Sequence, residues 1–194
     1  MSEITNEMYL FRANRDELDL IDYVYSETDN STINSTEAYR MALEAEFMCC
    51  QWLRMTGLKT NWVNGDYTRD MICAGLDIDV KHRTIKTKVH PTSYWPIAAR
   101  SLEAQSASIK LFCATTQTEP IDGYSDWLIQ MVGWVLPTDI KDYGIIKTGE
   151  LTPGNVRATY DMICIFSAQM RSPHELITYL EAENARKTST SQHH

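Results

Sequence analysis

The sequence predicts an α/β domain, with a mixed central sheet flanked by helices. Three observations predict it. Segments of helical and of strand character follow one another as helix, strands, helix, strands, helix, which layers helices onto a sheet. Residues 36–55 repeat their apolar positions at helical period. Residues 69–83 instead alternate at period two about a tight turn. At 194 residues and 43% hydrophobic content the chain has enough apolar material for one domain core.

Residues 1–34 form an acidic N-terminal arm, ending in the polar run Asp29-Asn-Ser-Thr-Ile-Asn-Ser. Within it, Leu18, Leu20, Ile21, Tyr23 and Val24 suit either a short helix or an edge strand. The arm either packs on the domain or contacts a second subunit. A helix then runs from Ser35 or Thr36 to Met55 and is closed by Gly57. Ser35 and Thr36 are good N-caps, and Glu37 in the first turn suits the helix dipole. Ala38, Met41, Ala42, Ala45, Cys49, Trp52 and Leu53 lie on one stripe. Glu46 stands at its edge, where it can either reach a cleft or remain solvated, and Glu37 and Glu44 lie further from it.

Lys59 to Asn64 reads as a first strand and Gly65-Asp66 as a turn. Arg69 to Ala74 and Leu76 to Arg83 make the hairpin. Thr84 to Tyr94 is a basic, polar loop or a ragged strand extension. Pro96 to Ala107 suits a helix with proline near its first position. Ser108 to Thr115 and Trp127 to Leu136 are apolar strands. Pro137-Thr138-Asp139 starts a short helix. Gly144 to Ala158 is mostly loop, with turn chemistry at Thr152-Pro153-Gly154-Asn155. Tyr160 to Phe166 is a last strand, and Ser172-Pro173 opens a final helix. The main domain is thus expected over residues 35–183, with a disordered polar tail at 184–194.

No apolar run reaches the roughly 18 residues a membrane helix requires, and the acidic N-terminus is not a secretory signal. The five cysteines are odd in number and match no zinc knuckle, as expected of reduced thiols in a cytoplasmic protein. The net charge of -8 is unevenly spread. Residues 1–50 hold eleven acids against three bases, whereas residues 81–110 hold six bases against one acid. That basic stretch contains Lys81, Arg83, Lys86, Lys88, Arg100 and Lys110. A solvated loop explains it as well as a phosphate-binding surface does, until its neighbour is considered.

The neighbour is the hairpin. Asp70 opens its first strand, and the turn at Ala74-Gly75 brings Asp70 back toward Asp79. Asp79 and Lys81, two residues apart, project from the same face while Ile78 and Val80 turn into the core. Two carboxylates and the Val80 main-chain carbonyl are oxygen ligands suited to Mg²⁺ or Mn²⁺. A metal acidifies water for attack on a phosphodiester, and Lys81 offsets the charge that develops. Glu46 is the candidate further ligand. Asp66 rivals Asp70 as first acid, and Asp77 is a candidate outer ligand. His82 turns away from Lys81, which suits a core or supporting role, and Arg83 returns to the catalytic face as a phosphate contact.

Acid, spacer, then acid-x-Lys resembles the PD-(D/E)xK nuclease superfamily over residues 36–181. The helix carrying Glu46 before the hairpin is similar to that superfamily, as is the apolar flanking of Ile78-Asp79-Val80-Lys81. Trp127 to Pro137 and Tyr160 to Leu180 resemble the later elements of small phage-type members. Arg69 stands where a proline commonly precedes the first acid, and Asp79 replaces the commoner Glu. The resemblance implies a restriction-endonuclease-like fold and a Mg²⁺- or Mn²⁺-dependent deoxyribonuclease, an endonuclease rather than an exonuclease. It implies Glu46, Asp70, Asp79 and Lys81 as catalytic residues and DNA as partner. Arg83, Lys86, Lys88 and Arg100 are the expected nucleic-acid contacts. A homo-oligomer formed through the N-terminal arm, and a cytoplasmic setting such as that of a phage-infected host cell, complete these expectations. The alternative is a non-catalytic module on the same fold that binds nucleic acid or protein.

Overall fold

The computed structural model describes residues 9–27, 36–63, 69–86, 88–99, 107–140 and 143–191. The elements in order are β1 (Leu10–Phe11), α1 (Arg15–Glu27), α2 (Thr36–Met55), β2 (Thr60–Trp62), β3 (Met71–Cys73), β4 (Leu76–Thr84), β5 (Tyr94–Ala98), β6 (Ile109–Gln117), β7 (Trp127–Val135), α3 (Pro137–Ile140), β8 (Met162–Phe166) and α4 (Pro173–Ser191). The class is α/β, as the periodicities predict.

Six strands make a mixed sheet in the order β1-β7-β6-β4-β3-β2. Strands β2, β3 and β4 form an antiparallel meander. Ala74 adopts φ 52° and Gly75 φ 69° in the turn between β3 and β4, a left-handed pair that a tight hairpin requires. Strand β6 runs parallel to β4 over seven pairs, from Ile78↔Ile109 to Thr84↔Thr115. Antiparallel β7 follows, with a bulge between Phe112 and Cys113.

The alternation of β4 and β6 sorts the core into two layers. Ile78, Val80, Ile109, Leu111 and Cys113 join the cluster built around α2, with Ala45, Cys49, Trp52 and Leu53. Phe112 and Ala114 face the other way, onto Trp95, Ile97, Ile163 and Ile165. Those four belong to a second, two-stranded sheet of β5 and β8. All five cysteines are buried and free. Burial on α2 extends beyond the expected stripe, since Leu43, Phe47 and Cys50 are also buried and Ala38 is exposed. The helix is wrapped by sheet, β1 and α1 rather than laid on one surface.

Three expectations are corrected here. Pro96, Ile97 and Ala98 lie in strand β5, not in a helix. Trp95 and Ile97 are buried with residues between them less so, a period of two that overrides the proline signal. Pro96 is tolerated because a two-stranded sheet consists of edges. The rest of that expected helix, at 100–106, lies outside the described residues. Secondly, the tail expected to be disordered carries helix α4 on to Ser191. Lys187 Nζ donates to the carbonyls of Ala74 and Gly75 at 3.0 and 2.8 Å, so the polar end of α4 is tethered to the hairpin turn. Thirdly, Glu44, placed away from the buried stripe, is fully buried; it lies 3.4 Å from Arg40 and its Oε1 has no hydrogen-bond partner.

The described part of the N-terminal segment packs on the domain. Strand β1 pairs with β7 at the sheet edge, α1 lies against α2, and Ile21 is fully buried. The final helix starts as expected. Ser172 Oγ accepts from the Glu175 N–H, and Glu175 Oε2 accepts from the Ser172 N–H at 2.7 Å, a reciprocal cap. No helix among the described residues is long and apolar enough to cross a membrane.

Gly133 pairs with Phe112 beside the bulge, under the chain leading into α4. A Cβ there would stand 2.6 Å from both the Arg171 carbonyl oxygen and Met170 Cβ. That lead-in is held by two backbone bonds between Trp134 and Arg171, each 3.0 Å, so it has little room to retreat. Gly133→Ala is expected to destabilise the fold by about 1–3 kcal/mol, read as a lower midpoint in urea unfolding.

Candidate active site

Asp79 is the centre of the site and is almost wholly buried. It alternates along β4 with the core residues Ile78 and Val80. The parallel register sets Asp79 beside Lys110 on β6. Lys81 Nζ donates to Asp79 Oδ1 at 2.7 Å, and Lys110 Nζ lies 3.0 Å from Oδ2. The Lys81 side chain keeps 25% exposure, whereas that of Lys110 has none. A carboxylate at such depth is costly unless its charge is matched, and two ammonium groups match it here.

Asp70 stands where β3 begins. Its N–H donates to the Ile78 carbonyl at 2.9 Å, continuing the hairpin ladder. Its Oδ2 accepts from the Val80 N–H at 2.5 Å, closing the gap left where β3 runs out. A residue's N–H and C=O leave the same edge of a strand, so the Val80 carbonyl also faces that edge. Burial, then the charge of Asp79, pushes the Asp70 carboxyl up to about 7, although the Val80 N–H and Lys81 act against the rise. Glu46, on α2, is partly buried. Burial raises its carboxyl well above the ordinary range, and the charges of Asp70 and Asp79 raise it further, while Lys81 opposes them. Three acids therefore share one electrostatic neighbourhood. The Trp62 indole lies beside Glu46 and works against that rise, its ring set edge-on against Phe47 at 5.1 Å.

The other expected residues divide. Asp77 is engaged by Arg69 at 2.9 Å rather than joined to the three acids. His82 has its pKa lowered by burial and by Lys81, and it alternates away from Lys81 as the sequence implies. Arg83 donates to the Tyr94 carbonyl, and its guanidinium stacks 4.3 Å from the Tyr94 ring centroid. Lys86 and Lys88 are exposed in the loop between β4 and β5. Asp66 and Arg100 lie outside the described residues.

Two buried ionisable residues escaped the sequence reading of the site. Lys110 counted only as one charge in a basic stretch. A lysine inside Ile109-Lys-Leu-Phe-Cys was the available signal, because a cation in an apolar strand has to meet an anion. Glu44 offered no comparable signal.

The donors suit a hard divalent cation. Carboxylate and carbonyl oxygens are its preferred ligands, and the raised carboxyls of Asp70 and Glu46 mark a local excess of negative charge that a cation would relieve. Asp79 Oδ2 is a buried oxygen that lies 3.0 Å from Lys110 Nζ. Among the described residues no three His, Cys, Asp or Glu side chains already stand close enough together to hold a metal ion. Binding thus calls for side-chain adjustment around Asp79.

The raised Asp70 carboxyl has a consequence for stability. Its proton is bound more tightly in the folded protein than in the unfolded chain, so it adds stability at low pH that is lost as pH rises from about 4 to about 7. Asp70→Asn is expected to flatten that loss in metal-free buffer and to unfold at a higher temperature than wild type at pH 7, as thermal scans across this pH range will show. Comparison of the chain with family models, curated proteins and solved structures finds no match.

Proposed function

We propose that the protein is a Mg²⁺- or Mn²⁺-dependent nuclease that hydrolyses DNA, cutting internally rather than from ends. The observation that carries this reading is the placing of Asp70, Asp79 and Lys81 together on the β3–β4 hairpin, with Glu46 of α2 within reach of their charges. Helix α2 with Glu46 precedes the β3–β4 hairpin, which is the order on which the PD-(D/E)xK resemblance rests.

Asp70, Asp79, the Val80 carbonyl and Glu46 would hold the cation. When bound, it supplies Lewis acidity and an acidified water at neutral pH. Asp70 positions its carboxylate through the Val80 N–H, which keeps it in the plane of the hairpin. Lys81 presents an ammonium at the exposed margin of the site, where it offsets charge on the phosphate in the transition state. Its Nζ already donates to Asp79 Oδ1 at 2.7 Å, which suits electrostatic stabilisation rather than proton abstraction. Arg83, Lys86 and Lys88 offer positive charge along the strand's exit, where a phosphate backbone is attracted without regard to sequence. His82 remains on the far side of the strand.

Supercoiled plasmid incubated with Mg²⁺ or Mn²⁺ is expected to be nicked and then linearised. Chelation by EDTA stops the reaction. Asp79→Ala abolishes it, and Lys81→Ala slows it by roughly 10²–10³-fold. If neither ion supports cutting of circular, linear, single-stranded or branched DNA, the reading fails, and DNA retention by the uncut protein would then favour a binding module.

A further inference from the structure

Asp79 is shared by two lysines that differ in freedom. Lys110 comes from the centre of a parallel strand pair, is fully buried, and faces Oδ2. Lys81 comes from Asp79's own strand, reaches Oδ1, and keeps a quarter of its side chain in solvent. Its ammonium can leave into water at modest cost, whereas that of Lys110 has no water to leave to.

Both oxygens of Asp79 are therefore occupied before any cation arrives. A divalent ion that uses Asp79 has to displace one ammonium, and burial decides which. We propose that Lys110 is a positioning residue: it holds Asp79 Oδ2 permanently, so that Oδ1 alone is exchanged between the Lys81 ammonium and a divalent cation. The exchange frees Lys81 at the moment the cation binds, and the freed ammonium is then available to a phosphate. Lys110 touches neither substrate nor reacting atoms; it acts by fixing the rotamer of Asp79. This rests on the metal-dependent reading of the site.

The test uses the wild-type chain and needs no cutting. Mn²⁺ binding is measured by calorimetry, and lysine reactivity toward an acetylating reagent is mapped by mass spectrometry with and without Mn²⁺. Acetylation of Lys81 should rise severalfold when Mn²⁺ is added, while Lys110 stays unmodified in both states. Mn²⁺ binding with unchanged Lys81 reactivity overturns the inference and leaves the metal-dependent reading standing. Labelling of Lys110 on Mn²⁺ addition overturns it equally. Absence of any Mn²⁺ binding overturns the metal-dependent reading and the inference with it.

Two variants separate positioning from mere support of the fold. Lys110→Met should lower kcat for plasmid nicking by roughly a hundredfold with the KM for DNA unchanged, and Lys110→Arg should recover most of the loss. Near-wild-type kcat in a folded Lys110→Met protein contradicts the positioning role. Should Lys110→Met fail to fold, the labelling experiment on wild type still decides.

Discussion

The structure depends on how one buried carboxylate is neutralised. Asp79 sits in the middle of β4, flanked by core residues, with Lys81 and Lys110 on its two oxygens. Removing one partner of such a buried pair typically costs about 3–5 kcal/mol, whereas replacing both by apolar groups is often neutral or better. Stability alone therefore gives no reason for a carboxylate here. The arrangement makes sense if Asp79 is needed as a charged oxygen donor and the lysines keep it so. The parallel pairing of β4 with β6 is what makes this possible, because that register alone sets Lys110 beside Asp79.

The surrounding fold holds the pair in place from both sides. On one face of β4 and β6, α2 seals the sheet with Ala45, Cys49, Trp52 and Leu53. On the other, β5 and β8 lay Trp95, Ile97, Ile163 and Ile165 over Phe112 and Ala114. The Trp95 indole donates to the Cys113 carbonyl at 2.9 Å, locking the small sheet to the strand that carries Lys110. Strand β3 begins at Met71, and Asp70 fills the missing ladder position with its carboxylate. Lys110 is set by the β4–β6 pair and Asp70 by the β3–β4 pair, so the two meet Asp79's strand from opposite edges.

Much of the fold was legible because burial leaves periodic traces. Leu76 to Arg83, Ser108 to Thr115 and Trp127 to Leu136 read as strands from their apolar character, within one or two residues of the observed bounds, and Ser172-Pro173 announced α4 through a cap whose chemistry is local. Pro96 misled, since its preference for a helix start is a weak local bias and the burial of Trp95 and Ile97 is worth more. The helical tail past Asn184 was not legible either. Its stability draws on a contact more than a hundred residues away in sequence, from Lys187 to the Ala74-Gly75 turn.

For the site, local sequence determined the hairpin, its left-handed turn, and the common face of Asp79 and Lys81, because two-residue periodicity and turn stereochemistry act over a few residues. Tertiary structure alone decided that Arg83 stacks on Tyr94 and that Lys110 completes the charge balance of Asp79. Each of those outcomes depends on which strands become neighbours and in what register. That register is settled by burial summed over the whole sheet, and no short stretch of the chain contains it.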